Sequence, residues 1–289
     1  MINALISTLK KSGLASLLIK AGIRKSTLAR KIYGKLTKTK VAGHLNIGGF
    51  KIYPDSNDSL GLSQKKDFFE KSRVAKVMRA FVKPGQITLD IGANIGVYSL
   101  LLAKLVGKKG KVYSFEPDGD NFRTLVKNTK LNRYENVVFI KKAVSDKTGR
   151  IKLYLSEWNK GDHRIYPSDE NRESVEIESI SLDDFFRVNK EKISFIKIDT
   201  QGAEALLFKG GKKFFKDKKP IVFLEFWPVG ISGSGEDPEE FLRQMNANFK
   251  IYSGREISKE ITPGEILAEA SVKKRNYIDL LCVPRRKNL

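Results

Sequence analysis

The sequence predicts an α/β protein with a doubly wound, mostly parallel sheet of seven strands and helices on both of its faces. Two observations carry this prediction. From Ile87 onward, short apolar runs that suit buried strands alternate with helical patterns, an order typical of parallel sheets. The first of these strands also ends in a glycine-rich turn that opens a helix, and such a turn lets a ligand approach the backbone closely.

Composition indicates a folded and strongly basic protein without a metal site. Of the 289 residues 40% are hydrophobic, and the net charge is +21. A field of this sign attracts the phosphates of nucleic acids or of anionic lipids. One cysteine, Cys282, and two histidines are too few for a disulfide framework or for a zinc site of the usual ligand sets.

Residues 1–40 form a basic, amphipathic helical extension in this interpretation, followed by one domain over residues 41–289. The first fifty residues contain ten lysines and arginines and no acid. The apolar run at 14–19 is too short to span a bilayer, and no cleavable secretory signal is recognisable. We therefore expect a cytoplasmic protein whose extension either lies on an anionic membrane surface or packs on the rest of the chain.

The elements follow one another in a regular order. The segment 41–54 indicates a hairpin that turns at Gly48-Gly49, and 67–81 indicates an amphipathic helix. The core, about 84–230, contains strands at 87–91, 111–115, 137–140, 193–198 and 220–227. Two alternating stretches, 150–157 and 174–181, indicate antiparallel strands, and the polar loop between them contains His163. The last two strands, 249–252 and 277–283, are expected to pair antiparallel.

The turn after the first core strand has the pattern Asp90-x-Gly92-Ala93-Asn94-x-Gly96, and Glu116-Pro117 follows about twenty residues on. A dinucleotide site would require Gly-x-Gly-x-x-Gly and a P-loop would require Gly-Lys-Ser/Thr, and neither is present. An acid at the tip of the second strand is placed to hold the two hydroxyls of a ribose. The pattern therefore favours a cofactor that carries adenosine.

A second motif, Phe195-Ile-Lys-Ile-Asp199-Thr-Gln-Gly-Ala-Glu204, is the most specific local signal in the chain. Together with the first turn, with Phe115-Glu-Pro117, with Ala143-Val-Ser-Asp146 and with the strand that contains Glu225, it resembles the FkbM-type S-adenosylmethionine (SAM)-dependent methyltransferases. The resemblance covers about residues 54–227. At Gln201 the family usually has an acid, so a role that requires charge at this position is not implied here.

This resemblance implies a Rossmann-like class I methyltransferase fold, SAM as cofactor and a hydroxyl group of a sugar or another small molecule as methyl acceptor. Carried over by position, Asp90, Gly92, Ala93, Asn94 and Gly96 surround the methionine part of SAM. Glu116, followed by Pro117, holds the ribose, and Ser145 and Asp146 lie near the adenine.

Three residues are candidates for the chemistry, each with a structural alternative. Asp199 follows a strand at the edge where open α/β sheets bind ligands. It is either a base that takes the acceptor's proton or a cap of the next helix. Glu204 is a site residue or a first-turn acid that suits the helix dipole. His163 is a second base, brought in by its loop, or incidental.

Two other functions stay open beside O-methylation. The basic charge is compatible with an RNA methyltransferase of the ribose 2′-O type, although the Asn/Asp-Pro-Pro-aromatic motif of base-amine methylation does not follow the strand at Asp199. A non-catalytic binding module is the other alternative, against which the complete cofactor motif argues. The acceptor itself is not readable from the sequence.

Overall fold

The computed structural model describes residues 43–55, 62, 67–157, 159–167, 171–272 and 276–285. The predicted helical extension at residues 1–40 lies outside the described residues. Its two interpretations therefore stay predictions.

A mixed sheet forms the centre of the molecule. Its strands are β3 (Ile87–Ile91), β4 (Lys111–Phe115), β5 (Val137–Ile140), β9 (Ile193–Ile198), β10 (Ile221–Phe226), β11 (Phe249–Ser253), β12 (Glu256–Glu260) and β13 (Ile278–Pro284). Their order is β12-β11-β13-β10-β9-β3-β4-β5. The five strands from β10 to β5 are parallel, and β13, β11 and β12 are added antiparallel. The predicted doubly wound, mostly parallel sheet is confirmed.

The sheet has eight strands in the described part of the chain, one more than predicted. The additional strand is the edge strand β12, which pairs only with β11. Four of its five residues are exposed, so the stretch lacks the alternation of buried and exposed side chains by which a strand is recognised.

Helices connect the strands and cover both faces of the sheet. They are α1 (Phe68–Lys71), α2 (Arg73–Phe81), α3 (Val97–Val106), α4 (Gly119–Leu131), α5 (Leu182–Phe185), α6 (Glu204–Lys209), α7 (Lys212–Lys218), α8 (Pro228–Gly233), α9 (Pro238–Asn248) and α10 (Pro263–Val272). Neighbouring residues of β9 serve opposite faces: Phe195 packs with the cluster that contains α2 and α3, and Ile196 with the cluster that contains α7 and α9. None of the helices described here has the length and apolarity needed to cross a membrane.

Two smaller sheets lie beside the main one. The hairpin of β1 (Leu45–Ile47) and β2 (Phe50–Ile52) confirms the prediction, with Gly48 and Gly49 both at positive φ, as a tight two-residue turn requires. In the second sheet, β7 (Gly149–Tyr154) and β8 (Ser174–Ile180) pair antiparallel as predicted, and β6 (Ala143–Val144) joins β8.

The predicted helix at 67–81 is interrupted at Ser72. This residue has extended backbone angles, and its hydroxyl accepts a hydrogen bond from the backbone N–H of Ala75. It thereby ends α1 and caps α2, in the manner typical of serine at a helix start.

The direction of winding reverses between β3 and β9. From β3 the chain proceeds to β4 and β5 on one side, and from β9 it proceeds to β10 on the other. At such a switch point the loops beyond the carboxyl ends of the strands separate and leave a crevice for a ligand. The two motifs singled out in the sequence follow β3 and β9, so they meet there.

Candidate functional site

The glycine turn after β3 packs directly against the loop after β9. Gly92 has a φ of +75°, and a Cβ at this position would overlap the carbonyl oxygen of Asp199. The backbone N–H of Asp199 donates to the carbonyl of Ile91 over 3.0 Å. Only glycine satisfies both the conformation and this contact. The turn and the second motif therefore form one rigid unit.

Glu116 reaches back from the end of β4 to this turn. One carboxylate oxygen accepts from the backbone N–H of Asn94 over 2.8 Å and the other from that of Asp118 over 2.9 Å. The side chain is buried, and burial raises the pKa of Glu116 to about 7 although both N–H groups favour the charged form. In the protein without ligand this carboxyl group is therefore half protonated near neutral pH.

Asp90 lies behind the turn and does not line the cleft. It is fully buried, and one oxygen accepts from the Ser99 hydroxyl over 2.6 Å. The other oxygen has no hydrogen bond and lies 3.5 Å from the Nζ of Lys197. A buried carboxylate requires such a counter-charge. The structure thus places Asp90 where it supports the turn from below.

Asp199 presents its carboxylate to the cleft. The side chain is 38% exposed; Oδ2 lies 3.5 Å from the Nζ of Lys197, and Oδ1 accepts from the amide of Gln201 over 2.6 Å. The helix that follows begins at an N-cap residue, Ala203, that makes no side-chain bond. No bond from that helix start reaches Asp199 in the described contacts. The capping alternative for this residue is therefore not supported.

Glu204 closes the turn after Asp199 instead of facing the cleft. Its Oε1 accepts from the backbone N–H and the hydroxyl of Thr200 and, over 3.3 Å, from the N–H of Gly202. The side chain is 1% exposed, and burial raises its pKa. The geometry supports the structural alternative for Glu204.

The loop that contains His163 lies over the cleft and is fixed at both sides. Asn121 donates from its amide to the Lys160 carbonyl, and the Tyr166 hydroxyl donates to the Gln201 carbonyl over 2.7 Å. The Nδ1 of His163 accepts from the backbone N–H of Ser156, and burial lowers the histidine pKa. The ring is therefore neutral and carries its proton on Nε2.

Glu225 stands at the end of β10, next to Asp199 in the sheet. Leu224 pairs with Ile198 in the parallel ladder, and Glu225 pairs with Asp279 of β13. Burial, reinforced by the charges of Asp199 and two further carboxylates, raises the pKa of Glu225 to about 9. This carboxyl group keeps its proton at neutral pH and is a hydrogen-bond donor there.

The cleft brings together part of the predicted set. It spans about 830 Å³, including space open to solvent. Among the predicted site residues it is lined by Gly92, Ala93, Asn94, Glu116, Pro117, His163 and Asp199. Asp90, Gly96, Ser145, Asp146 and Glu204 are not among its lining residues. Ser145 and Asp146 instead pack closely against the backbone at Gly210, while Lys142, Ala143 and Val144 border the cleft.

Lys197 and Asn121 are two of the lining residues that the sequence analysis did not assign to the site. Lys197 was visible as a charge inside an apolar strand that ends at Asp199, which is a signal for a buried ion pair. Asn121 offered no signal. It is 2% exposed, and its side-chain oxygen has no partner in the described structure. No group of three or more metal-ligating side chains is found within the described residues.

Comparison with known proteins identifies the family. A family model described as the methyltransferase FkbM domain matches residues 90–251, more than half of the chain. Both motifs and the cleft lie within this match. No curated protein matches the chain in sequence.

Three solved structures illustrate the likeness in fold. A methyltransferase FkbM from Methylobacillus flagellatus KT is 16% identical, with 80% of this chain and 56% of that chain covered and a TM-score of 0.42. An rRNA methylase from Streptococcus thermophilus is 9% identical, with 75% and 98% covered and a TM-score of 0.42. Aeropyrum pernix fibrillarin, solved with bound SAM, is 11% identical, with 74% and 76% covered and a TM-score of 0.42. Likenesses at this level carry no information about the acceptor.

Proposed function

This chain belongs to the FkbM methyltransferase family, and we propose that it transfers a methyl group to a hydroxyl group of a sugar, a glycan or another small molecule. S-adenosylmethionine is its cofactor. The observation that carries the proposal is the carboxylate of Asp199, which faces the cleft beside the glycine turn. A hydroxyl group is a weak nucleophile, so its attack is helped by a base at this place.

The residues of the cleft fit the cofactor. The glycine turn borders the cleft with Gly92, Ala93 and Asn94, and the two oxygens of Glu116 suit the two ribose hydroxyls. Asn121 adds a buried acceptor oxygen without a partner in the described structure. When bound, SAM supplies a methyl group on a sulfonium, which is a good leaving group. We assign the ribose to Glu116 and the methionine part to the turn at Gly92, Ala93 and Asn94.

Asp199 is better suited than His163 to take the proton of the acceptor. The Nδ1 of His163 is already occupied by the N–H of Ser156, and the neutral ring then presents an N–H donor to the cleft. Asp199 is acceptor-only when ionised, and its backbone is hydrogen-bonded to β3. In this proposal Asp199 is the base and His163 orients the acceptor through a hydrogen bond.

The test combines binding and transfer. SAM is titrated calorimetrically into wild type and Asp199→Asn, and methyl transfer from labelled SAM is measured on neutral sugars, glycans, hydroxylated small molecules and structured RNA. We expect the variant still to bind SAM, and its transfer rate at saturating SAM to be lowered by at least about 100-fold. Asp217→Asn, on the exposed surface of α7, is the control. Full activity of Asp199→Asn, or labelling of the RNA alone, would contradict the proposal.

We further propose that residues 1–40 hold the enzyme on an anionic membrane surface. Two features of this segment support the proposal. It contains ten cationic residues and no acid, and its apolar residues recur at helical spacing. Such segments bind through buried apolar area and attraction to anionic lipids. Full-length protein should sediment with phosphatidylserine vesicles and not with neutral ones, and deletion of 1–40 should abolish this. Equal recovery of both proteins would refute it.

A further inference from the structure

Lys197 is a buried cation at the junction of the cofactor turn and Asp199. It lies on β9, paired in register with Asp90 of β3, and is 4% exposed. Its Nζ donates to the Gly92 carbonyl over 2.9 Å and lies 3.5 Å from one oxygen each of Asp90 and Asp199. A single ammonium thus contacts the turn, the buried carboxylate below it and the carboxylate in the cleft.

The ammonium stays charged in this position. Burial lowers the pKa of Lys197, but the carboxylates of Asp199 and Asp90 outweigh this and raise the pKa to about 12. Burying a cation is unfavourable unless it is paired. An apolar residue would fill the same strand position without this cost. A requirement for charge at the site explains the lysine better than packing does.

That requirement follows from the charge that the cofactor carries. The sulfonium of SAM is positive, and methyl transfer converts it into an uncharged thioether. A carboxylate beside a sulfonium stabilises the reactant more than the transition state or the product, and so slows the reaction. A fixed ammonium at 3.5 Å from Asp199 offsets this attraction, since opposite charges at such a distance interact strongly away from bulk water.

We propose that Lys197 is a positioning residue that fixes the carboxylate of Asp199 and offsets its charge, so that the cleft does not favour the sulfonium reactant over its uncharged product. The proposal rests on the assignment of Asp199 as the base. Lys197 acts through Asp199 and through the Gly92 carbonyl. Other titratable groups interact through their charges with Asp199 and Lys197 or with the groups next to them. They are Asp90 on β3, Tyr98 on α3, Glu204 on α6, Glu225 on β10 and Asp279 on β13.

The test compares two ligands that differ mainly in charge. SAM and S-adenosylhomocysteine are titrated calorimetrically into wild type, Lys197→Met and Lys197→Arg, and the ratio of the two dissociation constants is compared. In Lys197→Met the preference for SAM over S-adenosylhomocysteine should rise about tenfold, because the carboxylates are no longer offset. Lys197→Arg keeps the charge and should stay within about twofold of wild type. A purely structural role would weaken both ligands equally.

Two further variants keep the test decisive. Lys111→Met breaks an ion pair with Glu191 near the amino ends of β4 and β9, the ends opposite the cleft. It should leave the preference for SAM over S-adenosylhomocysteine unchanged. If Lys197→Met does not fold, Asp90→Asn/Lys197→Met removes the buried carboxylate together with its counter-charge. The preference should still rise by about threefold there, since Lys197 lines the cleft and Asp90 does not.

An unchanged preference in the folded Lys197 variant would overturn the proposal. The measurement uses no acceptor, so its outcome is separate from that of the transfer assay. A raised preference without methylation of any hydroxyl compound would reject the proposed function and keep the role of Lys197.

Discussion

The pKa of Glu116 makes SAM affinity depend on pH in a predictable way. In the protein without ligand burial raises this pKa to about 7. In the proposed assignment of the ribose to Glu116, the two ribose hydroxyls donate hydrogen bonds, so they bind the ionised carboxylate better than the protonated acid. Binding therefore expels the proton from Glu116. Affinity is full well above pH 7, is about half at pH 7 and decreases further as the pH falls.

The magnitude follows from the fraction of protein in which Glu116 is ionised. With a pKa of about 7, the apparent dissociation constant is raised about 2-fold at pH 7, about 11-fold at pH 6 and about 30-fold at pH 5.5, relative to the alkaline limit. At pH 6 the complex should release about 0.9 protons per SAM bound. The α-amino group of SAM titrates mainly above this range.

Calorimetry between pH 5.5 and 7.5 measures both quantities, the proton release coming from buffers of different ionisation enthalpy. Glu116→Gln is the control, because it retains the shape and one acceptor oxygen but cannot ionise. It should bind SAM more weakly at pH 7.5 and show no proton release between pH 5.5 and 7. A wild-type affinity that stays constant from pH 7.5 to 5.5 would refute the reasoning, and so would an equal slope in the variant.

Two further predictions concern stability. Gly92→Ala should abolish SAM binding and destabilise the protein by more than about 2 kcal/mol in denaturant titration, because its Cβ meets the Asp199 carbonyl. Gly107→Ala, also at positive φ but with open space around it, should cost only about 1 kcal/mol. In the folded protein the pKa of Glu225 is about 9, against an ordinary 4.5. The protein therefore loses stability as the pH rises from about 4.5 to about 9, because only the unfolded chain releases the proton of Glu225 in this range. Glu225→Gln should therefore gain more than about 3 °C in melting temperature over wild type between pH 5 and 9, and a constant difference would contradict the burial of this group.

The parts of the fold that local patterns encode were predictable. The parallel strands are apolar runs bounded by polar turns, and β9 shows this with a charge only at Lys197. Asp199 was expected at the ligand-binding edge because it follows a strand, but the pairing of that strand with β3, which creates the switch point, was not predicted. The edge strand β12 was missed because nearly all of its side chains face solvent.

The site was predictable only as far as the residues stand next to a strand end. Glu116 and Asp199 do, and both face the cleft. Two of the three contacts of Lys197, those with Gly92 and Asp90, join residues about one hundred positions apart, which no local pattern contains. Ser145 and Asp146 were assigned to the adenine by position in a motif. In the structure their backbone packs against Gly210, whereas the two residues of β6, Ala143 and Val144, border the cleft.

The charge of the whole chain is a poor guide to the acceptor. Three lysines line the cleft, and each is already compensated: Lys142 by Glu178 at 2.7 Å, Lys160 by Asp120 at 2.7 Å and Lys197 by Asp90 and Asp199. A polyanion gains affinity when protein cations replace its own condensed counterions, and lysines that are already paired with a carboxylate are less available to do so. Nearly half of the net charge that first suggested RNA, +10 of +21, lies in the first fifty residues. The balance of charge around Asp199 therefore favours a neutral hydroxyl acceptor.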